Sequence, residues 1–258
     1  CMRRALTWGL LVALAVVATV LAFLPAAWLG PMVERQTGGR LTLGDAQGTL
    51  WRGSAFIGGA PGQGGAVTPL LPGRFAWTLS PLVVLGNVKM TLENPQALTS
   101  PVRVQGSWSQ WQVNAGELLL PAEGLAGLGA PLNTLAPTGR IRLSWNTLDL
   151  LRQQNIVTLQ GRTTLSMSDM GSRMSPIKPL GSYEMIMDWR GPQADLTLRT
   201  VRGALLLSGA GTLQNGRLRF SGQAAAADGY EDTLGTMLNL LGQRRMVNGK
   251  NVIALEFR

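Results

Sequence analysis

Residues 209–223, GAGTLQNGRLRFSGQ, place the dipeptide Asn215-Gly216 between two short runs, GAGTLQ and RLRFSGQ. Asn-Gly suits the two positive φ angles of a type I′ turn, which joins adjacent antiparallel strands. The stretch therefore predicts a β-hairpin, and similar runs separated by turn signals recur along most of the chain.

An alternation of apolar and polar residues recurs along most of the chain after residue 40. Ile141, Leu143 and Trp145 alternate with polar side chains, and so do Leu196 and Leu198. This period of two is typical of antiparallel strands with one buried face, and Gly- and Pro-containing turn signals separate the runs. The predicted strands cover residues 41–46, 49–56, 74–79, 86–92, 101–107, 111–119, 139–147, 157–167, 182–189, 194–200, 203–213, 217–225 and 251–257. The fold class is mostly β, a large antiparallel β-meander that forms a curved sheet or a sandwich.

One helix is predicted near the end of the chain. Asp228 or Gly229 could cap it, and Leu234, Leu238 and Leu241 recur on one face. We expect this apolar stripe to pack on the sheet in preference to a partner protein. The Gly-rich segment 58–66 is expected to be irregular, and residues 121–136 form a second connection that could interrupt the meander. One domain is still the favoured organisation.

The N-terminal segment predicts a membrane anchor. Residues 5–24 carry no charge, and twenty residues at helical rise span roughly 30 Å, the thickness of a hydrocarbon core. Arg3 and Arg4 precede the run and favour a cytoplasmic N-terminus, while Trp8 and Trp28 suit the two membrane interfaces. A cleaved signal peptide is the alternative, but its apolar region is usually shorter. The prediction is a cytoplasmic stub and single-pass transmembrane helix at 1–30, and an exported β-rich domain at 31–258.

The residue inventory argues against an enzyme. The chain has no His, which removes His-dependent nucleophile pairs and most zinc sites, and it has one Cys, at position 1, to which no role is assigned. The only S-x-x-K, at 175–178, contains a proline, and Gly209-x-Gly211 lies beside a hairpin instead of opening a helix. We therefore predict no catalytic residue, no cofactor and no metal.

The net charge of +9 raises the question of nucleic-acid binding. Most of the arginines are scattered among the predicted strands, and no basic run interleaved with aromatic residues is present. Solvated strand faces are the favoured interpretation, so no nucleic-acid partner is predicted.

The stretch GTLWRGSA at 48–55 is the best candidate for a partner contact. Small residues flank Trp51 soon after the anchor. A strand with a buried Trp and two tight glycine positions would explain the pattern by itself. A contact made by Trp51, Arg52 and Gly53 could be added to that structural role.

Three stretches in this order resemble the protein N family of the bacterial type II secretion system. They are GTLWRGSA at 48–55, LSGAGTLQNGRLRFSGQAAA at 207–226, and LNLLGQRR with NGKNVIALEF within 238–257. The resemblance implies a bitopic inner-membrane protein with a periplasmic domain. It implies a non-enzymatic accessory or assembly subunit of the machine that moves folded proteins across the outer membrane. The outer-membrane secretin and the inner-membrane platform are the partners that it implies.

A second function remains open at this level. Anchored periplasmic proteins of the AsmA-like and lipopolysaccharide-transport types also join one N-terminal helix to a long β-meander with an apolar interior. The apolar runs 118–120 and 204–207 would fit such a lipid-handling protein, and they fit strands buried on both faces equally well. Bound lipid would distinguish the two functions.

Overall fold

The computed structural model describes residues 16, 19–20, 22–128, 132–153, 156–214, 217–241, 244–247 and 250–257. The strands of these ranges, in chain order, are β1 (Leu41–Gly48), β2 (Arg52–Gly59), β3 (Thr68–Pro69), β4 (Phe75–Leu79), β5 (Val88–Glu93), β6 (Val102–Gly106), β7 (Gln110–Val113), β8 (Gly116–Pro121), β9 (Pro137–Trp145), β10 (Leu148–Gln153), β11 (Ile156–Ser172), β12 (Gly181–Gly191), β13 (Gln193–Gly203), β14 (Leu205–Gln214), β15 (Arg217–Ala226), β16 (Arg244–Val247) and β17 (Lys250–Phe257). The helices are α1 (Leu29–Gln36), α2 (Leu132–Leu135) and α3 (Glu231–Leu241), with 3₁₀ helices at Ala26–Trp28, Pro81–Leu85 and Ala122–Leu128.

All of these strands belong to one sheet, and every pairing between them is antiparallel. The main series of neighbours runs β1-β2-β4-β5-β6-β7-β10-β11-β12-β13-β14-β15-β17-β16. The short strand β3 pairs with the end of β2. The predicted large antiparallel meander is therefore confirmed.

The sheet branches at the long strand β11. Its first residues, Ile156 to Gln160, pair with β10, whereas Thr163 to Ser172 pair with β9. Strand β8 pairs with the outer side of β9. The connection between β8 and β9, which the sequence suggested as an interruption, thus joins two paired strands, and the sheet continues past it.

The predicted strands agree closely with the observed ones, and the hairpin that joins β14 to β15 pairs Gln214 with Arg217. Residues 215 and 216 themselves lie outside the described ranges. The predicted strand at 111–119 is instead two strands. Asn114 causes the break, because its side chain accepts a hydrogen bond from the Arg103 N–H at 2.6 Å and its carbonyl oxygen accepts one from the Trp145 indole at 2.8 Å. Strands β3, β10 and β16 were not predicted.

The predicted C-terminal helix is confirmed as α3, and its apolar stripe packs on the sheet as expected. Leu234 is completely buried and Leu238 is nearly so, in a cluster with Leu205, Ala224 and Ile253 of β14, β15 and β17. A second cluster around Phe75, Ala97, Leu98 and Val102 is completed by side chains that include Trp145 of β9. This cluster ties the N-terminal strands to the middle of the chain.

The predicted anchor at 5–24 lies mostly outside the described ranges, as do Arg3, Arg4, Trp8 and Cys1. Among the residues that are described, no helix is long and apolar enough to cross a membrane. Trp28 is described and is exposed. The boundary between an anchor at 1–30 and a domain at 31–258 stays a prediction.

Candidate functional site

The stretch singled out in the sequence forms the turn between β1 and β2. Gly48 has a φ of +84°, and the Thr49 hydroxyl accepts a hydrogen bond from the Arg52 N–H at 3.2 Å. The carbonyl oxygen of Trp51 accepts a hydrogen bond from the Leu79 N–H of β4 at 2.7 Å. Trp51 is half-buried, whereas Arg52 is exposed. The turn is therefore fixed to the sheet and leaves Arg52 exposed to solvent, and a partner contact at Trp51 and Arg52 stays a prediction.

Gly53 is explained by packing. A Cβ atom at this position would lie 2.5 Å from the Trp77 ring and 2.8 Å from the carbonyl oxygens of Gln47 and Thr49. The Trp77 indole in turn donates a hydrogen bond to the Leu50 carbonyl oxygen at 3.1 Å. The absence of a side chain at Gly53 thus leaves room for the turn and for the buried Trp77. A direct contact between Gly53 and a partner stays a prediction.

One face of the N-terminal strands carries a cationic groove. The register places Arg52 beside Thr78, Thr78 beside Thr91, and Thr91 beside Arg103, which puts these side chains on one face. Lys89 lies on the same face, and Trp51 closes the groove, whose volume is about 470 Å³. Within the described ranges Arg52, Lys89 and Arg103 have no ion-pair partner. The groove is suited to an acidic partner segment.

The opposite face of the same strands forms an apolar groove under α1. Its volume is about 260 Å³ and its lining is entirely apolar. The lining side chains include Leu29 and Val33 of α1, Leu43 of β1, Ile57 of β2, Trp77 of β4 and Met90 of β5. This groove can accept an apolar group, and it supplies no acid, base or nucleophile.

Sequence reasoning missed both grooves for physical reasons. The apolar groove depends on α1, although Leu29 and Val33 at i and i+4 gave a short signal for it. The cationic groove depends on strand register, which brings Lys89 and Arg103 together across β5 and β6. Strand register follows from the pairing of distant segments and cannot be predicted from the spacing of the charges in the sequence.

The S-x-x-K sequence is a local loop. The Ser175 hydroxyl donates to the Ile177 carbonyl oxygen at 2.9 Å and accepts from the Ile177 N–H at 3.1 Å. Ser175 is buried and Lys178 is exposed. In the part of the chain that the structure describes, no three metal-ligating side chains lie together. These contacts give Ser175 a structural role.

The shifted titratable groups lie in the C-terminal half of the sheet, away from both grooves. Hydrogen bonds from Arg140 and then Arg202 lower the pKa of Asp169, and the Arg162 guanidinium lowers the pKa of Asp188. Burial raises the pKa of Tyr183, whose hydroxyl donates to the Leu205 carbonyl oxygen at 3.0 Å. Asp169 of β11 is bonded to Arg140 of β9 and to Arg202 of β13, so these shifts report contacts between strands.

Comparison with known proteins gives one result. A family model described as type II secretion system (T2SS), protein N, matches residues 39–253, which is most of the chain and includes nearly the whole sheet. No curated protein and no solved structure matches the chain significantly. The match confirms the resemblance drawn from the three sequence stretches.

Proposed function

The chain belongs to the type II secretion system protein N family, and we propose on this premise that it is a non-enzymatic assembly subunit of the secretion machine, tethered to the inner membrane. The observation that carries the proposal is the family match over residues 39–253. The match begins just before β1 and ends within β17, so the sheet is the part that the family shares.

The tether is supported by the sequence that precedes the sheet. The uncharged run at 5–24 is long enough to span a bilayer, and Arg3 and Arg4 favour a cytoplasmic N-terminus by the positive-inside rule. The sheet would then lie in the periplasm of a bacterial cell. From there the protein can reach the secretin and the inner-membrane platform.

The cationic groove is the surface that we propose for one of these partners. Lys89 and Arg103 are exposed, close together and without a carboxylate partner in the described ranges. An acidic segment of the secretin or of the platform would be attracted by this charge, and Trp51 beside it offers a ring for close packing. The predicted contact at Trp51 and Arg52 lies at the edge of the same groove.

A genetic test addresses the secretion role. Deletion of the gene is expected to impair release of exoproteins, and the wild-type chain is expected to restore it. The double variant Lys89→Glu and Arg103→Glu should restore it poorly at equal protein level. Arg173→Glu with Lys178→Glu makes the same charge change at exposed positions outside the groove and serves as the control. Normal release from the deletion strain would disprove the secretion role.

Crosslinking identifies the partner. A photoreactive side chain in place of Trp51 is expected to capture the secretin or a platform protein in the native envelope. Capture should fall in the Lys89→Glu and Arg103→Glu variant and persist in the control variant. Capture that is equal in all three chains would remove the groove from the proposal and leave the secretion role standing.

The apolar groove supports a second function, an anchored lipid-handling protein of the AsmA-like or lipopolysaccharide-transport type. A volume of about 260 Å³ with an entirely apolar lining would accept part of an acyl chain.

Mass spectrometry of the purified full chain is expected to detect bound lipid in this case. Val33→Asp puts a carboxylate in the groove and should remove the lipid, whereas Met32→Asp, on the exposed side of α1, should not. A lipid-free wild-type chain would disprove this second function.

A further inference from the structure

Four segments lie side by side at one end of the sheet. They are residues 48–52, residues 80–87, residues 107–109, and residues 151–153 with 156 and 157, and together they are called the near rim. Strand register places them at the same end, because Arg52 pairs with Thr78, Val88 with Gly106, and Gln110 with Leu151. The near rim therefore lies at the same end of eight strands. It contains one end of each of β1, β2, β4, β5, β6, β7 and β10, together with the start of β11.

Hydrogen bonds connect each segment of the near rim to the next. The Leu79 N–H, beside the second segment, donates to the Trp51 carbonyl oxygen at 2.7 Å. The Trp108 indole donates to the Val83 carbonyl oxygen. The Arg152 N–H donates to the Ser109 carbonyl oxygen at 2.7 Å. The near rim is thus one continuous surface and not a set of independent loops.

This surface is unusually apolar for strand connections, which ordinarily carry polar turn residues. Leu85 is 81% exposed, Trp108 59% and Ile156 57%. Leu82, Val84 and Val157 are exposed as well. Exposed apolar side chains that lie close together mark a surface that contacts a partner or a membrane.

The charge of the near rim has one sign. Its four segments contain no Asp or Glu, and they contain Arg52 and Arg152. Both arginines are exposed and have no ion-pair partner within the described ranges. The near rim is therefore complementary to an anionic surface.

The N-terminal segment joins the domain at this same end. The Leu50 N–H donates to the Leu24 carbonyl oxygen at 2.8 Å, and Pro25 pairs with Thr49. Phe23 is 72% exposed just before this junction. The long uncharged run of the sequence therefore enters the domain beside the near rim.

We propose that the near rim is a lipid-facing surface that lies against the head groups of an anionic bilayer. Leu82, Leu85, Trp108 and Ile156 contact the interfacial region, where apolar and indole side chains are favourable. Arg152 contacts lipid phosphates, and Arg52, where the near rim meets the cationic groove, adds to the positive charge that faces the bilayer. The inference rests on the proposed attachment of the chain to the inner membrane and adds which surface of the domain faces the lipid.

The test uses the full chain in vesicles of phosphatidylcholine with or without phosphatidylglycerol. In a Cys1→Ser background, Leu85→Cys and Ile156→Cys each carry a polarity-sensitive fluorophore on the near rim. Met174→Cys and Tyr230→Cys carry it at exposed positions of the opposite end. Brominated lipid is expected to quench the fluorophores at 85 and 156, more strongly with phosphatidylglycerol, and to leave those at 174 and 230 unquenched.

The arginines are tested in the same assay. Arg52→Ser with Arg152→Ser should reduce quenching at 85 and 156 in anionic vesicles, whereas Arg173→Ser with Lys178→Ser should not. Equal quenching at both ends, or none at 85 and 156 in membrane-bound chain, would overturn the proposal. Shielding of 85 and 156 from aqueous iodide only when other envelope proteins are added would assign the near rim to a protein instead. Alkaline carbonate extraction tests the tether separately, since a released chain contradicts the anchor and not the lipid contact.

Discussion

Gly53 shows how a conspicuous sequence signal can have a packing origin. The space for its missing side chain is filled by Trp77 and by two backbone carbonyl oxygens. Backbone atoms in a paired turn cannot move aside as the end of a flexible side chain can. The glycine is therefore required by the way the β1–β2 turn covers the buried indole.

Gly53→Ala is expected to lower the free energy of unfolding by about 1–3 kcal/mol, since overpacking of a tight site costs that much. Gly235→Ala is a matched control, because a Cβ in that place within α3 meets nothing within 4 Å. It should raise stability by about 0.5–1 kcal/mol through helix propensity. Urea unfolding of both variants gives the sign of the change in the free energy of unfolding for each. Equal changes in the two variants would contradict the packing explanation.

Tyr183 makes stability depend on pH in the alkaline range. Burial raises its pKa above the ordinary value of 10.0, so the folded chain keeps the phenolic proton after the unfolded chain has lost it. The stabilising contribution of the buried Tyr183 hydroxyl is fully present below pH 10.0 and is lost as the pH rises above that value. The free energy of unfolding should fall there by up to about 1.4 kcal/mol per pH unit from this one group.

Tyr183→Phe is expected to remove that alkaline slope. At neutral pH it should also cost about 1 kcal/mol, because the Leu205 carbonyl oxygen loses its hydrogen bond from the buried hydroxyl. Tyr230→Phe removes an exposed hydroxyl and serves as the control. Denaturant unfolding between pH 8 and pH 11 gives the comparison, in which identical slopes for all three chains would refute the assignment.

At the scale of elements, α3 is held by its apolar face. Leu234 has no exposed surface and contacts a cluster drawn from β14, β15 and β17. Leu234→Ala should therefore destabilise the protein by about 2–5 kcal/mol, while Thr236→Ala on the exposed face of the helix should change little. Thermal or urea unfolding measures the difference. A small effect at Leu234 would mean that the helix is not a fixed part of the core.

The strands were largely predictable because one buried face imposes a period of two. The predicted strands 203–213 and 217–225 correspond to β14 and β15 to within two residues at either end. The errors have local causes. Asn114 bonds to its neighbours and divides one run, and β16 is four residues long with two arginines, so no pattern could develop.

The candidate site was less predictable than the fold. Trp51 and Arg52 were found because they are adjacent in sequence, and the structure places them at the edge of the cationic groove. Lys89 and Arg103 could not be grouped with them, since their proximity arises from cross-strand register. The apolar groove depends on α1. This helix follows directly on the predicted anchor, and the long apolar run of the anchor obscured the short apolar pattern of the helix.

At the scale of the whole molecule, β10 joins the two parts of the sheet. Its residues pair with β7 on one side and with the start of β11 on the other. Strands β1 to β7 therefore continue into the C-terminal meander through this six-residue strand, aided by the bridge between Leu98 and Leu118 of β8 and by the packing of Trp145 against the Phe75 cluster.

Leu150→Pro should uncouple the two parts, because proline in a central strand removes a ladder hydrogen bond. Leu150 pairs with Trp111 of β7 and Leu159 of β11. Hydrogen exchange is expected to show lost protection in β5 to β7 and retained protection in β12 to β15. Leu150→Ala keeps the N–H and serves as the control. Uniform loss of protection would show that the sheet unfolds as a single cooperative unit.

The junction at Leu24 and Pro25 has a mechanical consequence. Because these residues are hydrogen-bonded to the β1–β2 turn, the chain has no flexible linker between residue 24 and the sheet. With the preceding run held in a bilayer as proposed, the domain would turn together with that run, as a rigid lever does about its base. A partner would then have to approach at the height and angle at which the domain is held.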